Sequence, residues 1–369
     1  MEKAKIDAIQ LFVLILLFEL GSALLIPLAV ELKQDAWLAI LFGMIGGLIL
    51  FLIYYRLYQY YPNVLPTEYM QKIIGKVPGW ILAFLYILFF AYTAARVLRD
   101  FGVMLLTFAY PETPLFIVNA LLILVIVYTV RKGIEVIART GELLFVLMYL
   151  LAISGFILIV FSGLININNL RPLLEEGIKP VIKVVFTQTL YVPFGEAIVF
   201  TMIFPYLNHT KKGRIAGLIG IGLSGINLAL AMAINISVLG ATLTSRSQFP
   251  LLTTIQTIQV ADFLERLDVF FMFALIIGGF FKISIYFYAV VIGTASLFKV
   301  KEPSQLSYPL GIVILILSMT IASNFTEHLK EGLGLAPYIL FIPLHVSIPL
   351  ILLGIAFFKN RKKQQSTTS

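Results

Sequence analysis

Ten blocks of apolar residues recur along the chain, at roughly 8–30, 36–56, 80–105, 115–131, 141–163, 184–206, 214–240, 267–298, 308–325 and 336–358. A helix that crosses the hydrocarbon core needs about 20 mostly apolar residues, so each block predicts one spanning helix. Backbone in lipid must satisfy its own hydrogen bonds, and these lengths suit helices, since barrel strands take only about 10 residues. The first block follows Lys3 and Lys5, as a signal peptide would. It runs on from Ala8 to Val30 with Glu19 inside it and no small-residue cleavage site, so it reads as the first span. Between blocks no polar segment reaches domain size, and residues 1–363 read as one membrane domain. The last residues, 364–369, are polar and read as a disordered tail.

Composition agrees. Of the 369 residues 60% are hydrophobic and 12% charged, against about 25% charged in a soluble domain. A water-soluble fold of this size has too much polar exterior to supply from such a chain. The net charge of +8 would suit nucleic acid only as a basic face with aromatic platforms. Here the basic residues sit in short clusters between apolar blocks, which speaks for a bilayer and against nucleic acid. With the N-terminus inside, 17 of the 27 Lys and Arg residues fall on cytoplasmic stretches and 7 on external ones; Arg96, Arg99 and Lys282 lie within the blocks. That asymmetry predicts a multi-pass membrane protein with both termini cytoplasmic. The absence of cysteine excludes disulfides, thiol nucleophiles and Cys-based metal sites. The three histidines, His209, His328 and His345, are too scattered to suggest a metal cluster, and no metal or other cofactor is expected.

Two external connections are long. Residues 164–183 look partly structured, and residues 241–266 contain Val260, Phe263 and Leu264, which with Leu267 recur at helical spacing. The second is expected to lie as an amphipathic helix on the external face, capping the bundle.

Charge near the bilayer centre costs at least about 2.5–3.5 kcal/mol on insertion scales, so each instance needs a reason. Glu19, Glu196 and Lys282 lie midway along the first, sixth and eighth spans. Arg96 and Asp100 lie four apart toward the outer end of the third, spaced to pair along one face, with Tyr92 one turn before Arg96. Lys282 shares a face with Gly278 and Tyr286 and is expected to be a counter-ion for Glu19 or Glu196, structural or ligand-linked. Glu142 starts the fifth span and reaches the interface.

The first and sixth spans are also interrupted. Glu19-Leu-Gly21-Ser22 is followed by Pro27, and Pro193-Phe194-Gly195-Glu196 cuts the sixth. Proline removes a donor and glycine permits open backbone, which survives at membrane depth only inside protein or along a cavity. Breaks in corresponding positions of two halves point to a transporter binding site. Five spans per half is an odd number, so the second half must be inverted. The fold expected is therefore an all-α membrane protein of about ten helices in a five-plus-five inverted-repeat, LeuT-like arrangement with helices 1 and 6 broken. The halves would cover about 1–163 and 184–358. Ordinary kinks packed inside a bundle are the bland alternative.

PETPLFIV (111–118), IARTGELLF (137–145), NLRPLLEEGIKPVI (169–182), FGEAIVFTMIFP (194–205) and QFPLLTTIQ…DFLERLDVFF (248–271) resemble, in order and spacing, the spore germination permease family. These are the B subunits of GerA-type germinant receptors, a branch of the amino acid–polyamine–organocation superfamily. The resemblance implies a subunit in the inner spore membrane that binds a small germinant such as an amino acid and works with receptor A and C subunits. It implies that Gly21 and Ser22 offer backbone groups to the ligand's carboxylate and amine while Phe194, Gly195 and Glu196 close the opposite side. Tyr92 and Arg96 would face the same cavity. Sodium-coupled relatives use neutral oxygen ligands near the eighth helix, where this chain has Lys282, so sodium coupling is not expected.

Three functions compete: a germinant-sensing subunit, a proton-linked amino acid transporter, and a structural subunit with a vestigial cavity. Two broken helices argue against the last. The first two share every site residue, and the resemblance alone favours sensing. An enzyme is not expected, because no nucleophile with a nearby base, metal set or phosphate loop is present.

Overall fold

The computed structural model describes residues 5–258 and 267–367. Helix α1 (Ala8–Leu25) opens with a capping box at the membrane surface. Asp7 accepts from the Gln10 amide at 2.8 Å, and the Gln10 side chain accepts from the Asp7 amide at 3.1 Å. The helix runs unbroken through Gly21 and Ser22, contrary to the expected opening there. It opens instead at residues 26–29, because Pro27 drives Ile26 into extended backbone (φ −85°, ψ 154°) and Ala29 turns to φ 53°. The Ala29 amide freed by this turn donates to Gln188 Oε1 of the sixth span at 2.6 Å. The two interrupted spans thus support each other.

A short 3₁₀ segment (Val30–Asp35) leads into α2 (Ala36–Tyr60), then the surface helix α3 (Pro66–Ile74) and the third span, α4 (Lys76–Phe108). The fourth and fifth spans are α5 (Leu115–Arg131) and α6 (Ile134–Phe161). Leu143, Val146, Leu150 and Ile153 of α6 are exposed, as a lipid-facing surface requires. The connection after α6 holds a 3₁₀ turn (Ile167–Leu170), in line with a partly structured segment.

The sixth span is broken. Helix α7 (Ile178–Val184) passes into a π turn (Val185–Thr189), then non-helical turns at 190–193, then a 3₁₀ helix (Phe194–Met202). Nine residues of 3₁₀ helix is long for that geometry. Close packing holds it: a Cβ on Gly47 of α2 would lie 2.3 Å from Phe194 Cβ, so only glycine lets the two backbones approach.

Helix α8 (Thr210–Arg246) is the seventh span, and α9 (Pro250–Gln256) is a short helix beyond it. Val260, Phe263 and Leu264 of the expected external helix lie outside the described residues. The eighth span, α10 (Leu267–Phe298), is the axis of the molecule, with every residue from Phe281 to Ile292 buried. Helix α11 (Ser307–Thr320) is the ninth span.

The tenth span runs from α12 (Phe325–Lys330) through π turns (Glu331–Leu335 and Pro337–Ser347) into α13 (Ile348–Thr367). Pro349 has no N–H, so it cannot serve His345 O four residues back or Leu344 O five back. Tyr54 of α2 donates to His345 O at 2.6 Å and Tyr86 of α4 to Leu344 O at 2.6 Å, restoring both bonds. Helix α13 also carries on through 364–367, where composition suggests a disordered tail. Gln364 and Gln365 are good helix formers and extend a helix already nucleated.

Among the described residues nine helices are long and apolar enough to span, and Leu115–Arg131 is a shorter apolar helix. Together they account for the ten apolar blocks. The protein is an all-α, multi-pass membrane protein.

Candidate functional site

Lys282 of α10 is fully buried, and its Nζ donates to Glu196 Oε2. Of the two candidate carboxylates, Glu196 is the partner. The ammonium also sits over the Phe18 ring, 5.0 Å from its centroid, a cation–π contact. Glu19 is fully buried, and neither oxygen has a hydrogen-bond partner. The i−4 and i+4 neighbours of Lys282 behave as their spacing suggests. Gly278 crosses α1 at Gly21, where an added Cβ would lie 2.9 Å from Gly278 O and 3.0 Å from Lys282 Cβ. Tyr286 packs on Phe18 at 5.1 Å. Gly21 therefore stands in an intact helix at a helix crossing, without open backbone.

Ser22, one residue on, faces a cavity in the half of the bundle away from the termini, called the outer cavity. This cavity encloses about 410 Å³ including its open mouth. Its polar wall is Ser22, Thr93, Arg96, Asp100 and Glu196, and its apolar wall includes Val192, Leu333 and Phe341. The first, third, sixth and tenth spans all contribute, and both interruptions border it, Ile26 in one and Val192 in the other.

Arg96 and Asp100 do not pair with each other. Asp100 Oδ1 lies 2.8 Å from His328 Nε2, while Arg96 Nη2 donates to His328 O. Both bonds lead to α12, because its first turns close over the cavity. Gly332 leaves room for the guanidinium, since a Cβ there would lie 2.1 Å from Arg96 Nη2. Tyr92 is half-buried behind Arg96, accepting from Nη1 at 3.3 Å with its ring 5.7 Å from Cζ. It orients the guanidinium and does not line the cavity. Arg99 turns away to Ser318 O (3.0 Å) and Met319 O (3.2 Å).

Phe194 and Gly195 lie behind Glu196. Phe194 packs on Gly47, and a Cβ on Gly195 would meet His345 Nδ1 at 2.8 Å. Their backbone aims Glu196 at Lys282 and the cavity. His345 is itself fully buried, with neither ring nitrogen partnered, stacked on Phe341 at 5.2 Å and edge-on to Phe89 at 5.3 Å. Sequence reasoning set both His328 and His345 aside as scattered. The available signal for His328 was its place just ahead of the tenth span, on the same outer side as Arg96 and Asp100.

In the half of the bundle nearer the termini a second cavity, about 430 Å³ including its open mouth, is lined by Tyr54, Tyr69, Tyr86, Thr67 and Thr201 among apolar residues. Tyr54 and Tyr86, which hold the tenth span, are part of its wall. Chemically, the outer cavity can receive an anion at a guanidinium and a cation at carboxylates, with an apolar group between them.

Residues 5–326 match a family model described as spore germination protein. Spore germination protein KB of Bacillus subtilis (strain 168) is 58% identical over 366 residues, covering 99% of this chain and 98% of that protein. Spore germination protein YndE of the same organism is 27% identical, covering 97% and 98%. Spore germination protein XB of Bacillus anthracis is 22% identical, covering 92% and 90%. Among solved structures, MhsT in complex with L-phenylalanine superposes with a TM-score of 0.64 at 15% identity, over 96% of this chain and 86% of that one. The likeness is one of fold and agrees with the LeuT-like arrangement that span count and broken helices imply. By sequence, the chain belongs to the spore germination protein family.

Proposed function

We propose that this chain is the membrane subunit of a spore germinant receptor, and that the outer cavity binds a small zwitterion, an amino acid, as germinant. The observation that carries the reading is the meeting of Arg96, Asp100 and Glu196 around one cavity beside both interrupted spans. The ligand's carboxylate would face Arg96 and the Ser22 and Thr93 hydroxyls, its ammonium would face Glu196, and its side chain would rest on Val192, Leu333 and Phe341. MhsT was solved with L-phenylalanine, which makes amino acids the first class to test. The family resemblance supports receptor A and C subunits as partners, and gives no catalytic role.

Binding of each common L-amino acid, radiolabelled, to the purified chain in nanodiscs tests the reading. At least one should bind saturably. Arg96→Gln should weaken that amino acid by about tenfold or more, the worth of one charge-assisted hydrogen bond. Saturable binding that Arg96→Gln leaves untouched would place the ligand elsewhere.

The cavity nearer the termini favours a second reading, proton-linked transport, in which Tyr54 and Tyr86 part to join the two cavities. Labelled amino acid uptake into vesicles, with and without a proton gradient, separates transport from sensing.

We further propose the inner spore membrane as the location, on the family the chain belongs to, and both termini cytoplasmic, on the asymmetry of basic residues. A reporter fused after Lys363 should be cytoplasmic and one inserted near Glu175 external. Reporters on the same side would overturn this topology.

A further inference from the structure

Around Lys282 lie one ammonium and two buried carboxyl groups. The ammonium engages Glu196 and leaves Glu19 with both oxygens buried and unpartnered. The titratable groups facing Glu19 are Lys282 and Tyr286 of α10, Glu196 of the sixth span and Tyr54 of α2. A carboxylate buried without hydrogen-bond donors carries a heavy desolvation penalty, which a proton on the group removes. A proton on Glu19 would leave the resting cluster neutral, with an ion pair at Lys282–Glu196 and a carboxylic acid at Glu19.

We propose that Lys282 is a two-position switch between Glu196 and Glu19, thrown when a cationic group in the outer cavity takes Glu196. The proposal rests on the reading that this cavity accepts a ligand ammonium. Glu196 borders the cavity on one side and Lys282 on the other, so the two cations compete for one carboxylate. The displaced ammonium has a short way to go. Its stem already lies against Gly21 and its head over Phe18, on the turn of α1 that carries Glu19. The Glu19 O–H bond then breaks, its electron pair stays on the carboxylate that accepts from Lys282, and the proton passes to water in the outer cavity. One cation enters and one proton leaves, so the buried charge is unchanged. The grip of α10 moves from the sixth span to α1, which turns occupancy of a cavity into a shift between the two interrupted spans.

The test needs no ligand, so its outcome is independent of what the cavity binds. Infrared difference spectra of the full chain in nanodiscs should show a protonated-carboxyl band in wild type that Glu19→Gln removes. Glu196→Gln frees Lys282 as a ligand would and should also remove the band, because Glu19 ionises to receive the lysine. Adding Lys282→Met to Glu196→Gln should bring the band back. A band that persists in Glu196→Gln, or that is absent from wild type, overturns the switch. Thermal unfolding supplies a second reading. Glu196→Gln should lower the melting temperature more in a Glu19→Gln background than alone, since Lys282 then has no second carboxyl. Equal losses in both backgrounds, or failure of Glu196→Gln alone to fold, would equally overturn it.

Discussion

Lys282→Met is expected to cost about 3–5 kcal/mol of stability, the range for removing one partner of a buried ion pair. Lys282 is fully buried and its partner Glu196 nearly so, and methionine fills much of the same space without charge. The loss therefore comes from a stranded carboxylate and not from a void. Adding Glu196→Gln should recover much of it, because an amide is far cheaper to bury than an unpaired carboxylate. Adding Glu19→Gln should recover little, since Glu19 takes no hydrogen bond from Lys282. Thermal unfolding of wild type and the three variants in detergent measures this directly. Equal rescue by both glutamines would mean that Lys282 is shared between the carboxyls in the resting state.

The second large effect is expected at Gly195. A Cβ there would stand 2.8 Å from His345 Nδ1 and 3.1 Å from Leu190 O, both in the packed interior between the sixth and tenth spans. Gly195→Leu should abolish the germination response of spores to a mixed-nutrient medium and lower protein abundance with it. Overpacking of this kind costs about 1–3 kcal/mol and occasionally more. Gly195→Ala should lie between, and His345→Ala added to it should recover response and abundance together. An open ligand pocket at Gly195 would give another pattern, in which Leu removes the response at normal abundance and His345→Ala changes nothing.

The spans were legible because each is a long apolar block whose length alone decides between helix and strand. Depth was legible too, since few groups share the bilayer centre: it left Glu19 and Glu196 as alternative counter-ions of Lys282, and in the fold Lys282 engages Glu196. The position of the first break was not. Gly21 reads as a flaw in a helix, but its missing side chain is filled by Gly278 of α10, so the helix continues and Pro27 alone opens it. Pairing of the outer charges was equally out of reach. The spacing of Arg96 and Asp100 suggests a local pair, whereas Asp100 bonds His328, 228 positions on. The same holds for the tenth span. Pro349 announces lost donors, but the hydroxyls that replace them come from Tyr54 and Tyr86, 291 and 258 positions from the carbonyls they serve. Local chemistry is readable along the chain, and its distant partners depend on the fold.

The chain has no cysteine, so single substitutions can report on the cavity without background labelling. Ser22→Cys and Val192→Cys lie on the outer cavity and Leu352→Cys on the one nearer the termini. In sealed vesicles of known orientation, a small membrane-impermeant thiol reagent applied to the external face should modify the first two and spare the third. A mixture of the common L-amino acids should slow modification of Ser22→Cys and Val192→Cys, and resolving the mixture should trace the protection to particular members. Modification of both cysteines at the same rate with and without the amino acids would contradict the central claim that this cavity is the germinant site.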